Sequence, residues 1–212
     1  VPSAQGIATA DIAGGAAQDS AGNGNTAAAQ LSRDFNSTNP TVVMTSGTTD
    51  PTSTSPIPVT VTFSESVTGF VIGDIAASGA TVTDFAGSGA SYSFNLSSPS
   101  QGLVTADIAG GAAEDVGANP SEPAPQFART FDTTSPSVVM SSTSSPGPAK
   151  TSPIPVTVLF SESVTGFVIG DVIASNATVS NFAGSGQSYS FNLVPTTTNG
   201  TVTADIVGSV AV

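Results

Sequence analysis

The chain contains SPIPVTVTFSESVTGFVIGD at residues 55–74 and SPIPVTVLFSESVTGFVIGD at residues 152–171. The two copies lie 152 − 55 = 97 residues apart and differ only at Thr62, which corresponds to Leu159. A near-identical return of twenty residues at this distance is typical of a tandem array of one domain type. The repeat therefore organises the interpretation of the whole chain.

The first half of this stretch has the pattern of a half-buried strand. Ile57, Val59, Val61 and Phe63 alternate with Pro58 and with hydroxyl side chains, and period two is the period of a strand. Similar short segments follow, separated by Gly-, Pro- and Ser-rich turns, and no segment has a helical period. These features predict an all-β fold, and a repeat of about 97 residues fits an immunoglobulin-like β-sandwich with Greek-key topology.

Alignment of the copies predicts three segments. Residues 1–38 contain the last two strands of one repeat, residues 39–134 form a complete repeat, and residues 135–212 form a repeat without its last strand. The phase is set by QLSRDF at 30–35, which corresponds to QFARTF at 126–131.

Composition excludes several classes of function. The 212 residues include 15 acidic and 3 basic side chains, for a net charge of −12, which argues against nucleic acid and anionic membranes as partners. There is no His or Cys for triad chemistry. Recurrence of the same carboxylates in each copy favours a structural role over catalysis, so we expect no enzyme. No apolar run is long enough to insert this segment into a membrane.

Three motifs carry a resemblance to a known family. They are FSESVTGF at 63–70, DSAGNGN at 19–25 and FDTTSP at 131–136. With them the chain resembles the bacterial immunoglobulin-like repeats of large surface proteins and adhesins. The resemblance implies an extracellular, cell-surface location in bacteria and a role as an extender. Such repeats stack end to end on neighbouring repeats of the same protein, often with calcium at the junctions.

Carboxylates are the candidate metal ligands, because Ca²⁺ binds six to eight oxygens that several loops can supply. In an immunoglobulin-like topology the loops that carry them meet at one pole of each domain, together with the linker that enters it. The predicted ligands form two sets: Glu65, Asp74 and Asp115 with Asn36, and Glu162 and Asp171 with Asp132. The alternative is plain turn and cap chemistry, which also favours Asp and Asn.

Two further patterns have simple structural interpretations. Asp107 and Arg129 recur in equivalent positions of neighbouring strands, which predicts a cross-strand ion pair. Most aromatic side chains are expected in the core. A sugar-binding platform, as in a carbohydrate-binding accessory module of a secreted enzyme, is the rival from another functional class.

The out-of-phase ends leave two interpretations open. In the first, the chain is an excerpt of a longer polypeptide. In the second, a segment such as AAAQLSRDF (27–35) of one molecule completes the last repeat of another by strand addition, and the chains form a head-to-tail filament. On either interpretation the predicted function is mechanical: a spacer or filament of stacked β-sandwiches.

Overall fold

The computed structural model describes residues 5–144 and 148–208, which form antiparallel strands and two short 3₁₀ turns. The chain divides into two compact units, residues 1–133 and 134–212. The strands of the first unit are β1 (Gly6–Ala10), β2 (Leu31–Phe35), β3 (Val42–Thr45), β4 (Ile57–Val67), β5 (Ile75–Ser78), β6 (Thr81–Ser97), β7 (Gly102–Ile108) and β8 (Phe127–Phe131). Those of the second unit are β9 (Val138–Ser141), β10 (Ile154–Val164), β11 (Val172–Ser175), β12 (Ala177–Pro195) and β13 (Thr203–Ile206).

The first unit contains a two-stranded ribbon and a sandwich. The ribbon is β1–β2, and the sandwich has sheets in the order β3-β4-β6 and β5-β7-β8. The chain crosses between the sheets after β4, after β5 and after β6, which is the Greek-key arrangement of immunoglobulin-like domains. The all-β, immunoglobulin-like prediction is confirmed.

The second unit repeats this arrangement. Its sheets have the order β9-β10-β12 and β11-β13. The pairing register is also the same, since Val158 lies opposite Tyr189 as Val61 lies opposite Tyr92.

Strand β4 supplies the centre of the first core. It pairs with β3 on one edge and β6 on the other, and its side chains alternate between buried and exposed from Ile57 to Ser64. Ile57 and Val61 are completely buried. Each such side chain contributes about 1.5–3 kcal/mol by leaving water. The period-two prediction is confirmed on this strand.

The aromatic side chains form a core cluster. Phe70 packs edge-on against Phe63 and Tyr92, with ring centroids 5.2 and 5.1 Å apart, and Phe85 stacks on Tyr92 at 5.8 Å. The second unit has the same contact between Phe160 and Phe167, also at 5.2 Å. These rings fill the sandwich, as predicted, and do not form a surface on which a sugar could stack.

One predicted break between strands is wrong. The separation of short strands by Gly-rich turns does not hold for residues 81–97, where β6 is continuous over Thr81–Ser97. Gly87 and Gly89 have φ angles of +127° and +63°, so the backbone bends sharply there without leaving the strand. Glycine adopts these angles at little steric cost, and the bend was mistaken for a turn.

The bend at Gly87 yields a stability prediction. A Cβ atom at this position would collide with the Ser91 carbonyl oxygen and lie 2.5 Å from the Tyr92 Cα. Gly87→Ala is therefore expected to lower the free energy of unfolding by at least about 2 kcal/mol, from backbone strain and overlap together. Gly73→Ala is the control, because nothing lies within 4 Å of its Cβ position. Urea unfolding of both variants measures the difference, and equal stability would contradict the prediction.

Candidate functional site

Four residues of the first unit form a hydrogen-bonded group, here called the junction cluster: Asn36, Glu65, Asp115 and Asn119. Asn36 directly follows β2 and begins the linker to β3. Glu65 lies near the end of β4, and Asp115 and Asn119 lie in the loop between β7 and β8. The cluster thus joins the linker to a loop about eighty positions further along the chain.

Asp115 holds its own loop closed. Its Oδ1 accepts hydrogen bonds from the backbone N–H groups of Gly117 (2.7 Å) and Asn119 (2.9 Å), and its Oδ2 accepts one from Asn119 Nδ2 (2.9 Å). The side chain is only 5% exposed. The Asn119 side-chain bond is the main cause that lowers the pKa of Asp115, and it outweighs the burial that raises it.

Asn36 attaches the linker to this loop. Its Nδ2 donates to Asp115 Oδ2 at 2.7 Å and makes a long, weak contact of 3.4 Å with Glu65 Oε2. Its backbone oxygen accepts a bond from Asn119 Nδ2 at 3.1 Å. Three polar contacts therefore bind the start of the linker to the domain that follows it.

The loop Asp19–Asn23 has the same internal bonds. Asp19 Oδ1 accepts from the N–H groups of Ala21 and Asn23, both at 2.9 Å, and Asp19 Oδ2 accepts from Asn23 Nδ2 at 3.0 Å. The Asn23 bonds likewise lower the pKa of Asp19. Because this loop is exposed and closes by itself, the motif Asp-x-x-x-Asn encodes the loop locally.

Sequence reasoning missed Asn119, although a signal for it was present. The spacing from Asp19 to Asn23 is the spacing from Asp115 to Asn119, and an amide four residues after an aspartate can satisfy its second oxygen. The predicted site was built mainly from carboxylates and therefore did not include this amide donor.

Two predicted metal ligands act as turn caps. Asp74 Oδ2 accepts a bond from the Val71 N–H at 2.8 Å, across the 3₁₀ turn Ile72–Asp74. Asp171 Oδ2 does the same with the Val168 N–H at 2.8 Å. Each carboxylate satisfies the backbone of its own loop, which is the turn chemistry that the sequence left open as the alternative.

The remaining predicted ligands lie in different units. Asp132 lies one residue before the end of the first unit, where its N–H donates to the Thr52 oxygen at 2.9 Å, and Glu162 lies on β10 of the second. Throughout residues 5–144 and 148–208, no group of three or more Asp, Glu, His or Cys side chains is placed to hold a metal ion. Both calcium sets therefore stay predictions from the sequence.

The junction cluster in particular does not fit Ca²⁺ as it is arranged. It presents the oxygens of Glu65 and Asp115 with an amide N–H group between them. An N–H group repels a cation, and the six to eight oxygens that Ca²⁺ requires are not gathered here.

The predicted ion pair between Asp107 and Arg129 is wrong. Asp107 accepts two bonds from Gln126 Nε2, at 3.1 and 3.0 Å. Arg129 lies opposite Val104 in the strand register, and its guanidinium stacks on the Phe127 ring, 4.9 Å from the centroid. The register of β7 against β8 keeps Asp107 and Arg129 apart, and this register could not be predicted from the sequence.

The lowered pKa of Asp115 predicts how stability depends on pH. A carboxylate whose pKa is lower in the folded state stabilises that state above its unfolded pKa of about 3.9, and the effect is lost as pH falls through the folded pKa. Asp115→Asn should therefore unfold at a lower temperature than the wild type at pH 7. The difference should narrow between pH 4 and pH 2 in thermal unfolding followed by circular dichroism.

The control for this experiment is Glu114→Gln, an exposed neighbour in the same loop. It is expected to leave the midpoint unchanged at pH 7. A gap between wild type and Asp115→Asn that is constant from pH 7 to pH 2 would show that the charge of Asp115 does not stabilise the loop.

Comparison with known proteins agrees with the architecture. A family model described as a bacterial Ig-like domain matches residues 36–126 and residues 132–211. No curated protein and no solved structure gave a match. Within the two described ranges, no helix has the length and apolar character needed to cross a membrane. Domains of this family have a non-catalytic fold and are typical of surface or extracellular proteins. The chain belongs to the bacterial Ig-like domain family and carries its domain in tandem.

Proposed function

We propose that this chain is a spacer segment of a bacterial extracellular surface protein of the adhesin type. Its repeats extend the protein by being joined one after another, and hold a binding domain elsewhere in the polypeptide away from the cell. The family supports a structural repeat of a surface protein. That the parent protein is an adhesin, and that the repeats act as a spacer, goes beyond what the family supports and is proposed here.

The observation that carries the proposal is the connection between the linker and the following domain. A flexible linker would leave successive domains free to move, as Ser- and Gly-rich linkers do. Here Asn36 is bonded to Asp115, 79 residues further along, at 2.7 Å. Thr41 and Ser64 add bonds at the entry to the domain, since the Thr41 N–H donates to Ser64 Oγ at 3.0 Å. A linker that is fastened in this way suits a spacer that must transmit force.

A second supporting observation is the near-identity of the copies. The repeated segment keeps the same core residues and the same caps, for example Asp74 and Asp171 at 2.8 Å from their backbone donors. A binding site needs to exist only once, whereas a spacer gains length from each copy. Repetition of the complete scaffold therefore favours the mechanical role over ligand recognition.

Stretching single molecules of the 212-residue chain between handles tests the proposal. The chain should resist extension and then unfold in discrete steps. The step for the sandwich of residues 39–131 should release about 300 Å of contour length, from roughly 3.3–3.6 Å per extended residue. Smooth extension without steps would contradict a load-bearing role. Specific binding of the isolated chain on a glycan array would favour the carbohydrate-binding alternative.

Strand addition between molecules is a second candidate, because the second unit has an open edge in its described part. Ala106 and Ile108 of β7 are fully buried, whereas the equivalent Ala204 and Ile206 of β13 are only partly buried. The second unit also has an open cleft of about 530 Å³, lined in part by Ile154 and by loop residues. In the first unit, β8 pairs with β7 and covers the corresponding core.

A peptide experiment separates this candidate from the spacer. If molecules exchange strands, light scattering should show that the chain polymerises. An added peptide of residues 125–132 should shorten the polymers, because it pairs with β13 in place of a strand from another molecule. A peptide with Phe127 and Phe131 changed to Ser is the control, since both rings are buried in the first unit. A chain that stays monomeric at high concentration would rule out exchange between molecules.

A further inference from the structure

We propose that the amide of Asn36 occupies the place of a cation in the junction cluster, so that this junction closes without calcium. The biological purpose of such a junction rests on the proposed spacer role, because a spacer needs stiff junctions. Its chemistry rests on the hydrogen bonds alone.

The first argument is that Asp115 has no free acceptor sites. Its two oxygens accept four hydrogen bonds, from the N–H groups of Gly117 and Asn119 and from the side-chain amides of Asn119 and Asn36. A carboxylate offers about four lone-pair positions. A cation could bind Asp115 only by breaking bonds that already close the loop.

The second argument concerns the orientation of the Asn36 amide. Its Oδ1 accepts bonds from the Thr38 N–H at 3.0 Å and from Gln5 Nε2 at 3.1 Å. Because the backbone N–H of Thr38 can only donate, the oxygen faces it and the NH₂ group faces the carboxylates. The backbone oxygen of Asn36 is also in use, as it accepts from Asn119. The side-chain oxygen therefore has both lone pairs occupied, and the backbone oxygen has one of its two occupied.

The third argument is electrostatic. Asp115 and Glu65 both point at Asn36 Nδ2, at 2.7 and 3.4 Å, and two carboxylates at one point repel each other. The NH₂ group has two hydrogens and can face both at once. It therefore offsets the repulsion with partial positive charge, which is the electrostatic role that a bound cation would have.

A fourth, independent observation is the room left for the linker. A Cβ atom at Gly117 would lie 3.3 Å from the Asn36 oxygen and 2.9 Å from Asn119 Nδ2. A side chain at this position would therefore crowd the linker, and glycine leaves the room that the backbone of Asn36 uses.

The second linker differs in the residue that matters. FNSTNP at 35–40 becomes FDTTSP at 131–136, and Asp132 replaces Asn36. A carboxylate has no N–H to donate, so it cannot bond a carboxylate as Asn36 does. The inference therefore applies to the first linker alone and gives a chemical reason why the two linkers need not behave alike.

Three substitutions in the full chain test the inference: Asn36→Ala, Asn36→Asp and the control Asn39→Asp. The local measurement is hydrogen–deuterium exchange of residues 114–119. In the wild type, exchange should be equal in Ca²⁺ and in EGTA. Asn36→Ala should exchange on the order of tenfold faster, the effect of losing about 1.4 kcal/mol of hydrogen bonding. Asn36→Asp should exchange faster still, because it adds a third negative charge. In that variant added Ca²⁺ should restore protection.

Asn39→Asp is the matched control. Asn39 lies three residues along the same linker and donates to Glu122 Oε1 at 2.9 Å, so the substitution places a new charge beside one carboxylate instead of two. It should leave exchange of residues 114–119 as in the wild type, with or without Ca²⁺.

Three results would overturn the inference. The first is slower exchange of residues 114–119 in the wild type when Ca²⁺ is added, since a cation would then bind where the amide lies. The second is an Asn36→Asp variant that exchanges no faster than Asn39→Asp. The third is an Asn36→Asp variant that Ca²⁺ does not protect, which would show that the amide is only a hydrogen-bond donor. Each result differs from a failed stretching experiment, which would remove the spacer role and leave the chemistry intact.

Discussion

The burial of alternate side chains on β4 is the constraint on which the rest of this fold depends. The strand has no free edge, because β3 and β6 pair with it on its two sides. A shift of its register by one residue would turn Ile57, Val61 and their neighbours to the solvent and bring threonines into the core. The register of β4 therefore fixes the positions of β3 and β6, and through them the whole first sheet.

The exit from β4 depends on the same core. Phe70 lies seven residues after Phe63 and packs against it at 5.2 Å, and Val67 between them is also buried in the core. Glu65 lies on β4 beside these residues, and Asp74 caps the 3₁₀ turn that follows Phe70. The second half of the repeated stretch thus adds to the core and places Glu65 and Asp74 relative to it.

Features that depend on the period of the sequence were predicted correctly. Features that depend on strand register or on a single backbone angle were missed. The alternation of Ile57 to Phe63 gave the strand, and the repeat gave the fold. The bend at Gly87 was missed, because its +127° φ angle follows from tertiary packing. The partner of Arg129 was missed because only the strand register places Val104 opposite it. Asp74 and Asn36 were both predicted as ligands of one site, and only their hydrogen bonds distinguish the turn cap from the member of the junction cluster.

The junction cluster uses a kind of contact that recurs in the first unit. With 15 acidic and 3 basic residues, few carboxylates can pair with a basic side chain. Side-chain amides take that role in further pairs: Asp11 with Gln30, Asp19 with Asn23, Asp84 with Asn95, Asp107 with Gln126, and Glu122 with Asn39. A hydrogen bond to a carboxylate is stronger than one between neutral groups, and an amide does not titrate.

This choice of donor has a consequence for the proposed extracellular spacer. Surface ion pairs are screened by salt, and a calcium junction depends on the concentration of free calcium. A junction closed by Asn36 depends less on the salt concentration and on free calcium, because the hydrogen-bond donor is covalently part of the linker and is present in every molecule. Glu65 and Asp115 carry the negative charges that a metal site would need. The amide between them, bonded to Asp115 at 2.7 Å, is what makes the two carboxylates part of a junction in the absence of the metal.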